Sequence, residues 1–291
     1  MLYRLLIVAA TLIWGSSFVI VKDTTDVLSP AWILVVRFAM AAILLAVFLI
    51  KRKDLYFKKE YVGYGALLGL LLFCAYYFQT IGITDTTPGK NAFLTGTYCV
   101  MVPFLAWWIA KRKPNVFNIV AAIMCVAGIG FVSLDSGLTM RFGDAMTLGG
   151  AVFYALHICA VAKVSQGRDI FVLTMWQFAF VAVFSCIAGL VFEPAPDFAS
   201  LQPEAWWSLV YLGVGCTALA LLFQNVGQQK LAPSTASLLL SLESPIGVLF
   251  SVLLGAEVLN GRMMFGFALI FAAIIVSEVL PDLKACKRRK A

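Results

Sequence analysis

The chain has 291 residues, of which 62% are hydrophobic and only 13% are charged, and its formal net charge is +7. Soluble domains are typically about 45–50% apolar and about 25% charged, so this composition excludes an ordinary soluble fold and indicates that most of the chain is solvated by a lipid bilayer. The basic clusters at 51–59, 111–113 and 284–290 each adjoin an apolar run, which is typical of membrane-helix flanks and argues against nucleic-acid binding.

Ten segments are long and apolar enough for transmembrane helices, which need about 20 residues each. In chain order they cover residues 3–22, 30–50, 61–83, 89–110, 115–135, 143–164, 171–192, 205–229, 233–254 and 261–280. The connections are short and carry turn signals, such as Ser29-Pro30 and the TPG sequence at 87–89. We therefore predict an all-α polytopic membrane protein with ten spans.

The distribution of Lys and Arg predicts the orientation, because cytoplasmic loops are enriched in both. With a cytoplasmic N-terminus, 17 of the 22 Lys and Arg residues fall on the inner side and four on the outer side, while Arg37 lies within a span. Both termini are therefore expected in the cytoplasm, with 281–291 forming a basic cytoplasmic tail.

The two halves of the chain resemble each other. Four residues around spans 3 and 8 recur with identical spacing: Phe78, Gln79, Gly82 and Pro88 match Phe223, Gln224, Gly227 and Pro233. Three more relate spans 2 and 7: Phe38, Ala39 and Ala42 match Phe178, Ala179 and Ala182. Because five spans is an odd number, a five-plus-five repeat is inverted in the membrane, an arrangement typical of secondary transporters.

An ordered set of motifs carries a family resemblance. They are WGSSFV at 14–19, the arginine of VVRFAMAAILL at 35–45, TTPGKNAFLTGTY at 86–98, APSTASLLLSLESP at 232–245 and GAEVLNGRMMFGFALI at 255–270. With these motifs the chain resembles the EamA family, ten-helix proteins of the drug/metabolite transporter superfamily. The resemblance implies EamA repeats at 3–135 and 143–280, a bacterial inner membrane, and carriage of amino acids or other small metabolites, often outward.

Two prolines are expected to interrupt corresponding helices of the two halves, Pro103 in span 4 and Pro245 in span 9. A proline lacks an N–H and frees the carbonyl four residues earlier, here those of Cys99 and Ser241. Paired interruptions point to a transport site, although a packing kink is the alternative. Pro88 and Pro103 are 15 residues apart, whereas Pro233 and Pro245 are 12 apart, so a gap is expected when the two helices are superposed.

Glu243 lies near the middle of span 9, where a charge costs roughly 2.5–3.5 kcal/mol. It is a candidate for proton coupling or for contact with a substrate amine. The structural alternative is a neutral acid that hydrogen-bonds the backbone beside Pro245 or pairs with Arg37. His157, the only histidine, is a second candidate for proton relay, with a role in packing as its alternative.

Other polar or aromatic side chains within the spans are candidates for lining a cavity, although the serines also fit close helix packing. The full predicted substrate-binding set is Trp14, Ser17, Gln79, Asn91, Thr95, Tyr98, His157, Gln224, Ser241 and Glu243. Glu257 and Glu278 lie at helix ends, where contact with solvent is expected.

The sequence contains no HExxH, Walker A or GxSxG motif, and its seven cysteines form no CxxC pair. We therefore predict neither an enzyme nor a metal or cofactor site. The favoured interpretation is a gradient-driven exporter of small polar metabolites such as amino acids. A proton-coupled importer, a passive channel and an intramembrane lipid-modifying enzyme are the alternatives, and the substrate, the coupling ion and the oligomeric state stay open.

Overall fold

The computed structural model describes residues 1–110, 114–133, 140–231 and 233–290. Within these ranges only the backbone is described at Lys53, 108–110, Ser234, Glu278 and 281–290. The basic cluster at 111–113 lies outside the described residues. The regular elements of the described ranges are all helical, as the sequence predicts.

The first half of the chain contains seven α-helices. They are α1 (Leu2–Thr25), α2 (Pro30–Phe48), the short α3 (Lys53–Tyr56), α4 (Lys59–Thr84), α5 (Pro88–Gly96), α6 (Tyr98–Ala110) and α7 (Val116–Ser133).

The second half contains seven more, with a π-helical stretch in its third span. They are α8 (Phe142–Val164), α9 (Ile170–Phe192), α10 (Pro203–Val210), the π-helix Tyr211–Leu219, α11 (Ala220–Lys230), α12 (Pro233–Leu240), α13 (Glu243–Leu253) and α14 (Gly261–Lys290).

Eight helical stretches in the described ranges are long and apolar enough to cross a bilayer. Two predicted spans fall short of that length. Span 4 consists of α5 and α6, which are nine and 13 residues long and meet at Thr97. In span 10 the apolar part of α14 covers Gly261–Ser277.

The helix starts follow the predicted turn signals. Pro30 and Pro88 occupy the first turns of α2 and α5, where a missing N–H leaves no helical hydrogen bond unmade. The Thr87 side chain accepts a hydrogen bond from the backbone N–H of Lys90 and caps α5. Asp169 caps α9 in the same way, through the N–H groups of Phe171 and Val172.

Helices of the two halves interleave throughout the bundle. α4 packs against α8 and α9, α1 packs against α11 and α13, and α14 packs against α7. α2 contacts α9 along its length, and there the fully buried rings of Phe38 and Phe178 meet edge to face with centroids 5.8 Å apart. These two phenylalanines are equivalent in the sequence repeat.

The interruptions of spans 4 and 9 lie before the prolines. Pro103 lies inside the continuous helix α6, and Pro245 is the third residue of α13. The Ser241 carbonyl, expected to be free, accepts the N–H of Ser244 at 3.1 Å. The helices instead break at Thr97 and at Ser241–Leu242.

These breaks are in register between the halves. Tyr98 begins α6 ten residues after Pro88, and Glu243 begins α13 ten residues after Pro233. The two breaks therefore lie at the same distance from the equivalent prolines Pro88 and Pro233, and the differently placed Pro103 and Pro245 lie beyond them.

Small residues bring the broken helices close together. A Cβ atom on Gly96 would lie 2.0 Å from Ser244 Oγ, and one on Gly247 would lie 2.6 Å from the Ala92 Cβ. Ser244 Oγ donates to the Ala92 carbonyl at 3.0 Å. Since contacts this short exclude larger side chains, α5 and α13 cross at the distance that these residues set.

Candidate functional site

A polar cavity lies where the broken helices meet α1, α2, α4, α8 and α11. Both halves of the chain contribute to its wall. Its lining residues are Trp14, Ser17, Phe18, Val21, Arg37, Tyr76, Gln79, Thr80, Ile83, Asn91, Tyr98, Tyr154, Ile158, Gln224, Leu240 and Glu243.

The first residues of α6 and α13 face each other in this cavity. The Tyr98 hydroxyl and the Glu243 carboxyl are neighbours in the cavity wall. The two side chains are only 3% and 6% exposed. The helix breaks therefore bring a phenol and an acid to the same wall of the cavity.

Tyrosine rings extend this wall toward Arg37. The Tyr154 ring lies 6.1 Å from the Tyr98 ring and 5.4 Å from the Tyr76 ring, centroid to centroid. The Arg37 guanidinium lies over the Tyr76 ring at 4.9 Å, within cation–π range. A row of three tyrosines thus runs between the cation and the acid.

Arg37 is held from the side that faces away from this row. Its Nε donates to Thr217 Oγ1 at 2.8 Å, and Thr217 Oγ1 donates to the Leu212 carbonyl at 2.7 Å. Thr217 belongs to the π-helix Tyr211–Leu219. Among the described residues the ion pairs do not include one between Arg37 and Glu243, so both side chains face the cavity without neutralising each other.

A cluster of side-chain amides and hydroxyls forms another wall. Gln79 Nε2 donates to Thr95 Oγ1 at 2.9 Å, and Tyr154 donates its hydroxyl proton to Gln79 Oε1 at 2.9 Å. Asn91 Nδ2 donates to Thr147 Oγ1 at 2.7 Å. Asn91 Oδ1 is buried and has no hydrogen-bond partner, which leaves it as an acceptor for a ligand.

Seven of the ten predicted binding residues line the cavity: Trp14, Ser17, Gln79, Asn91, Tyr98, Gln224 and Glu243. Trp14 Nε1 donates to the Cys216 carbonyl at 2.7 Å, and Ser17 Oγ donates to the Trp14 carbonyl at 2.8 Å. The indole ring and the serine oxygen, and not their protons, are therefore available to a ligand.

The other three predicted residues lie outside the lining. Thr95 accepts a hydrogen bond from Gln79, and Ser241, at the break after α12, donates its Oγ proton to the Leu238 carbonyl at 2.7 Å. His157 is fully buried and has Gln177 as its polar neighbour.

Sequence reasoning missed Tyr76, Tyr154 and Thr80 as lining residues. A usable signal was present, because Tyr76, Thr80 and Ile83 follow the i, i+4, i+7 spacing of one helix face and share that face with Gln79. Tyr154 and Ile158 make the same step in α8. These residues are aromatic, apolar or small, so they did not stand out in an apolar helix.

A second polar cluster closes one end of the bundle, where α5 and α8 begin. Lys90 Nζ pairs with the fully buried carboxylate of Asp144, which also accepts the Thr86 hydroxyl at 2.9 Å. Glu257 accepts hydrogen bonds from Thr87 Oγ1 and from Ser251 Oγ, the latter at 3.1 Å.

The environment of Glu257 differs from the expected contact with solvent. Its side chain is only 7% exposed, and a Cβ on Gly89 would lie 2.1 Å from its Oε2. The carboxylate thus rests on the first turn of α5, where backbone N–H groups favour a negative charge. Hydrogen bonds from the distant Thr87 and from the nearby Ser251 hold this carboxylate in a buried position. The Glu278 side chain lies outside the described residues.

The described residues contain no cluster of three or more His, Cys, Asp or Glu side chains that could hold a metal ion. The cavity combines hydroxyls, amides, an acid and a guanidinium with aromatic faces. Such a lining suits a small polar molecule.

Comparisons with known proteins agree with a carrier fold. The model of the EamA-like transporter family matches residues 1–134 and 141–278. A protein of Archaeoglobus fulgidus named an uncharacterized transporter is 31% identical over 91% of this chain and 82% of its own length. The Bacillus subtilis protein named uncharacterized transporter YoaV is 23% identical over 93% of this chain and 94% of its own.

A solved crystal structure shares the fold. It aligns with a TM-score of 0.71, covers 96% of each chain and is 17% identical in sequence. Its likeness extends to nearly every helix described above.

Proposed function

Because this chain belongs to the EamA-like transporter family and is a multi-pass membrane protein, we propose that it is a secondary transporter that works by alternating access. The substrate is a small polar metabolite such as an amino acid, and the direction is export. The chain crosses the membrane ten times with both termini in the cytoplasm, and it resides in a bacterial inner membrane.

One observation carries the proposal: the polar cavity forms where two interrupted helices, one from each half, cross each other. Interrupted helices are tolerated in a membrane where they line a cavity, and in transporters they form the substrate site. Tyr98 and Glu243, the first residues after the two breaks, both line this cavity.

Contacts between the halves support an inverted repeat with boundaries at 3–135 and 143–280, followed by the 281–291 tail. Ser244 Oγ donates to the Ala92 carbonyl at 3.0 Å, and Cys99 Sγ donates to the Ser237 carbonyl at 2.8 Å. A shift of 145 residues, the spacing of Pro88 and Pro233, converts one hydrogen bond into the other. Rocking one repeat against the other about such a crossing would expose the cavity to each side in turn.

A proton-coupled importer is the second candidate, and Glu243 is the observation that favours it. A buried acid in the cavity wall can carry a proton through the cycle. His157, the other residue suggested for proton relay, lies outside the lining and has Gln177 beside it, so coupling would depend on Glu243.

Counterflow in liposomes tests the transport proposal. The purified full-length protein is reconstituted in vesicles loaded with one unlabelled compound, and entry of the same labelled compound is measured for amino acids, sugars and nucleosides. A carrier accumulates the label transiently and saturates. Flux that rises linearly with concentration indicates a channel, and the absence of any counterflow across the whole panel contradicts the proposal.

A further inference from the structure

We propose that the cavity binds a zwitterion, with Arg37 holding a carboxylate and Glu243, assisted by Asn91, holding an ammonium group. This inference rests on the proposed transport function and assigns the two residues that select the substrate. Glu243 then binds the cation of the substrate itself and is not a carrier of a coupling proton.

The carboxylate end is built around Arg37. Its side chain is 2% exposed and lines the cavity. Thr217 occupies its Nε and Tyr76 occupies one face of the guanidinium. These contacts fix the planar group in orientation, and a guanidinium held in this way presents its terminal N–H groups to a carboxylate as a two-pronged donor.

The ammonium end is built around Glu243 and Asn91. Glu243 lines the cavity beside the Tyr98 hydroxyl, and a carboxylate can accept about four hydrogen bonds. Asn91 is fully buried, and its Oδ1 accepts nothing from the protein. An ammonium group has three donors and no acceptor, which matches the acceptors on this side.

Arg37 and Glu243 contact the two ends of the tyrosine row, and the ion pairs of the described residues do not join them. Tyr76 contacts Arg37, Tyr98 contacts Glu243, and Tyr154 lies between the two rings. Side chains that carried opposite charges for structural reasons alone would gain most by pairing directly. Lining one cavity without an ion pair between them, the two side chains offer a ligand a guanidinium and a carboxyl group.

The chemistry of the ligand follows from this separation. A sugar or a nucleoside leaves both charges unpaired, and a simple anion or cation leaves one. A molecule with a carboxylate and an ammonium group satisfies both, while its remaining part contacts the rings of Trp14 and Phe18 in the cavity wall. Amino acids are the common metabolites with this charge pattern.

A ligand series with matched variants tests the assignment. Binding to the purified full-length protein in lipid nanodiscs is measured by thermal shift and calorimetry for the twenty L-amino acids, glucose and adenosine. The strongest amino-acid ligand is then compared with its methyl ester, which lacks the carboxylate, and with its N-acetyl derivative, which lacks the ammonium group. Each derivative should bind at least about 30-fold more weakly, the cost of removing one partner of a buried charge pair.

Each variant should abolish the discrimination against one of the two derivatives and keep the discrimination against the other. Arg37→Gln should bind the parent and the methyl ester equally while still rejecting the N-acetyl derivative, and Glu243→Gln should show the opposite pattern. A merely structural role would weaken all ligands together. Arg52→Gln and Glu193→Gln, which remove like charges outside the cavity lining, should keep the full discrimination.

The result does not depend on the variants folding, because the wild-type ligand series is decisive. Equal binding of the parent and either derivative overturns the proposal. Counterflow of glucose or adenosine without any amino-acid binding overturns it too, although the transport function would stand. If Glu243→Gln transports amino acids normally but loses pH dependence, the ammonium assignment is wrong and Glu243 carries a proton.

Discussion

Tyr98 and Glu243 are equivalent positions of the sequence repeat, and their side chains are neighbours in the cavity wall. They are 145 residues apart in the sequence, and each begins a helix that follows a break. The crossing hydrogen bonds of Ser244 and Cys99 lie one residue further along each helix. At equivalent positions of the sequence repeat, the cavity wall therefore carries a phenol from the first half and an acid from the second.

Replacing Tyr98 with phenylalanine should weaken substrate binding with little effect on folding. The change removes the hydroxyl beside the Glu243 carboxyl in the cavity wall, which should weaken a polar ligand held there by roughly 1–3 kcal/mol, and keeps the ring that packs against Tyr154. The concentration for half-maximal counterflow should therefore rise about tenfold. Tyr211→Phe is the control, because that hydroxyl bonds Ser16 at the exposed surface. Equal effects of the two variants would contradict a role for the Tyr98 hydroxyl.

Replacing Gly96 with alanine should destabilise the crossing of α5 and α13. The new methyl group would lie 2.0 Å from Ser244 Oγ, and overpacking of this kind typically costs about 1–3 kcal/mol. We expect a lower melting temperature in detergent and slower transport. Gly63→Ala in α4 is the matched control, since nothing lies within 4 Å of the added atom. If both variants melt at the wild-type temperature, the close approach is not maintained.

Replacing Asp144 with asparagine should be strongly destabilising. The variant leaves Lys90 facing a neutral side chain in a pocket where Asp144 is fully buried, and breaking a buried pair costs roughly 3–5 kcal/mol. Combining Lys90→Met with Asp144→Leu should recover most of the loss, as measured by thermal unfolding. Arg52→Gln at the exposed pair with Asp169 should cost about 1 kcal/mol or less. If the double variant is less stable than Asp144→Asn, the two residues contribute to stability by more than neutralising each other's charge.

Replacing Glu257 with alanine should loosen the end of the bundle where α5 begins. The change leaves the hydroxyls of Thr87 and Ser251 without their acceptor and removes a carboxylate from the first turn of α5. With a single cysteine at Ile83, in a background lacking the native cysteines, labelling by a membrane-impermeant maleimide should become faster. Glu193→Ala serves as the control. Unchanged labelling would mean that Glu257 does not restrict access to the cavity.

The sequence predicted the helices well because apolar length and turn residues are local properties. Pro30 and Pro88 begin helices as expected, and Gln79 and Gln224 both reach the cavity. The breaks were misplaced at Pro103 and Pro245. Pro245 lies in the first turn of α13, where a proline forfeits little, whereas α6 continues through Pro103. The actual breaks at Thr97 and Ser241–Leu242 carry no proline.

Contacts between distant segments could not be predicted from one sequence. Glu257 is buried by Thr87, which lies 170 positions earlier, and nothing in its own neighbourhood signals that partner. Arg37 was considered as a possible partner of Glu243, but the row of tyrosines that separates them draws on three helices. Which residues meet in the cavity depends on how the two halves pack against each other. This packing is a property of the tertiary structure and leaves no local signal in the sequence.

The π-helix at Tyr211–Leu219 sets the rotation of everything that follows it in its span. A π-helical turn holds one residue more than an α-helical turn. Each extra residue rotates the side chains that follow it by about 100° relative to a regular α-helix. Gln224 faces the cavity from the next turns, whereas its repeat mate Gln79 reaches the same space from the uninterrupted helix α4. Deleting a single residue from the π-helical stretch would turn Gln224 toward a neighbouring helix and carry Lys230 and the following loop around with it. The number of residues in this stretch therefore decides where Gln224 points, whichever residues the stretch contains.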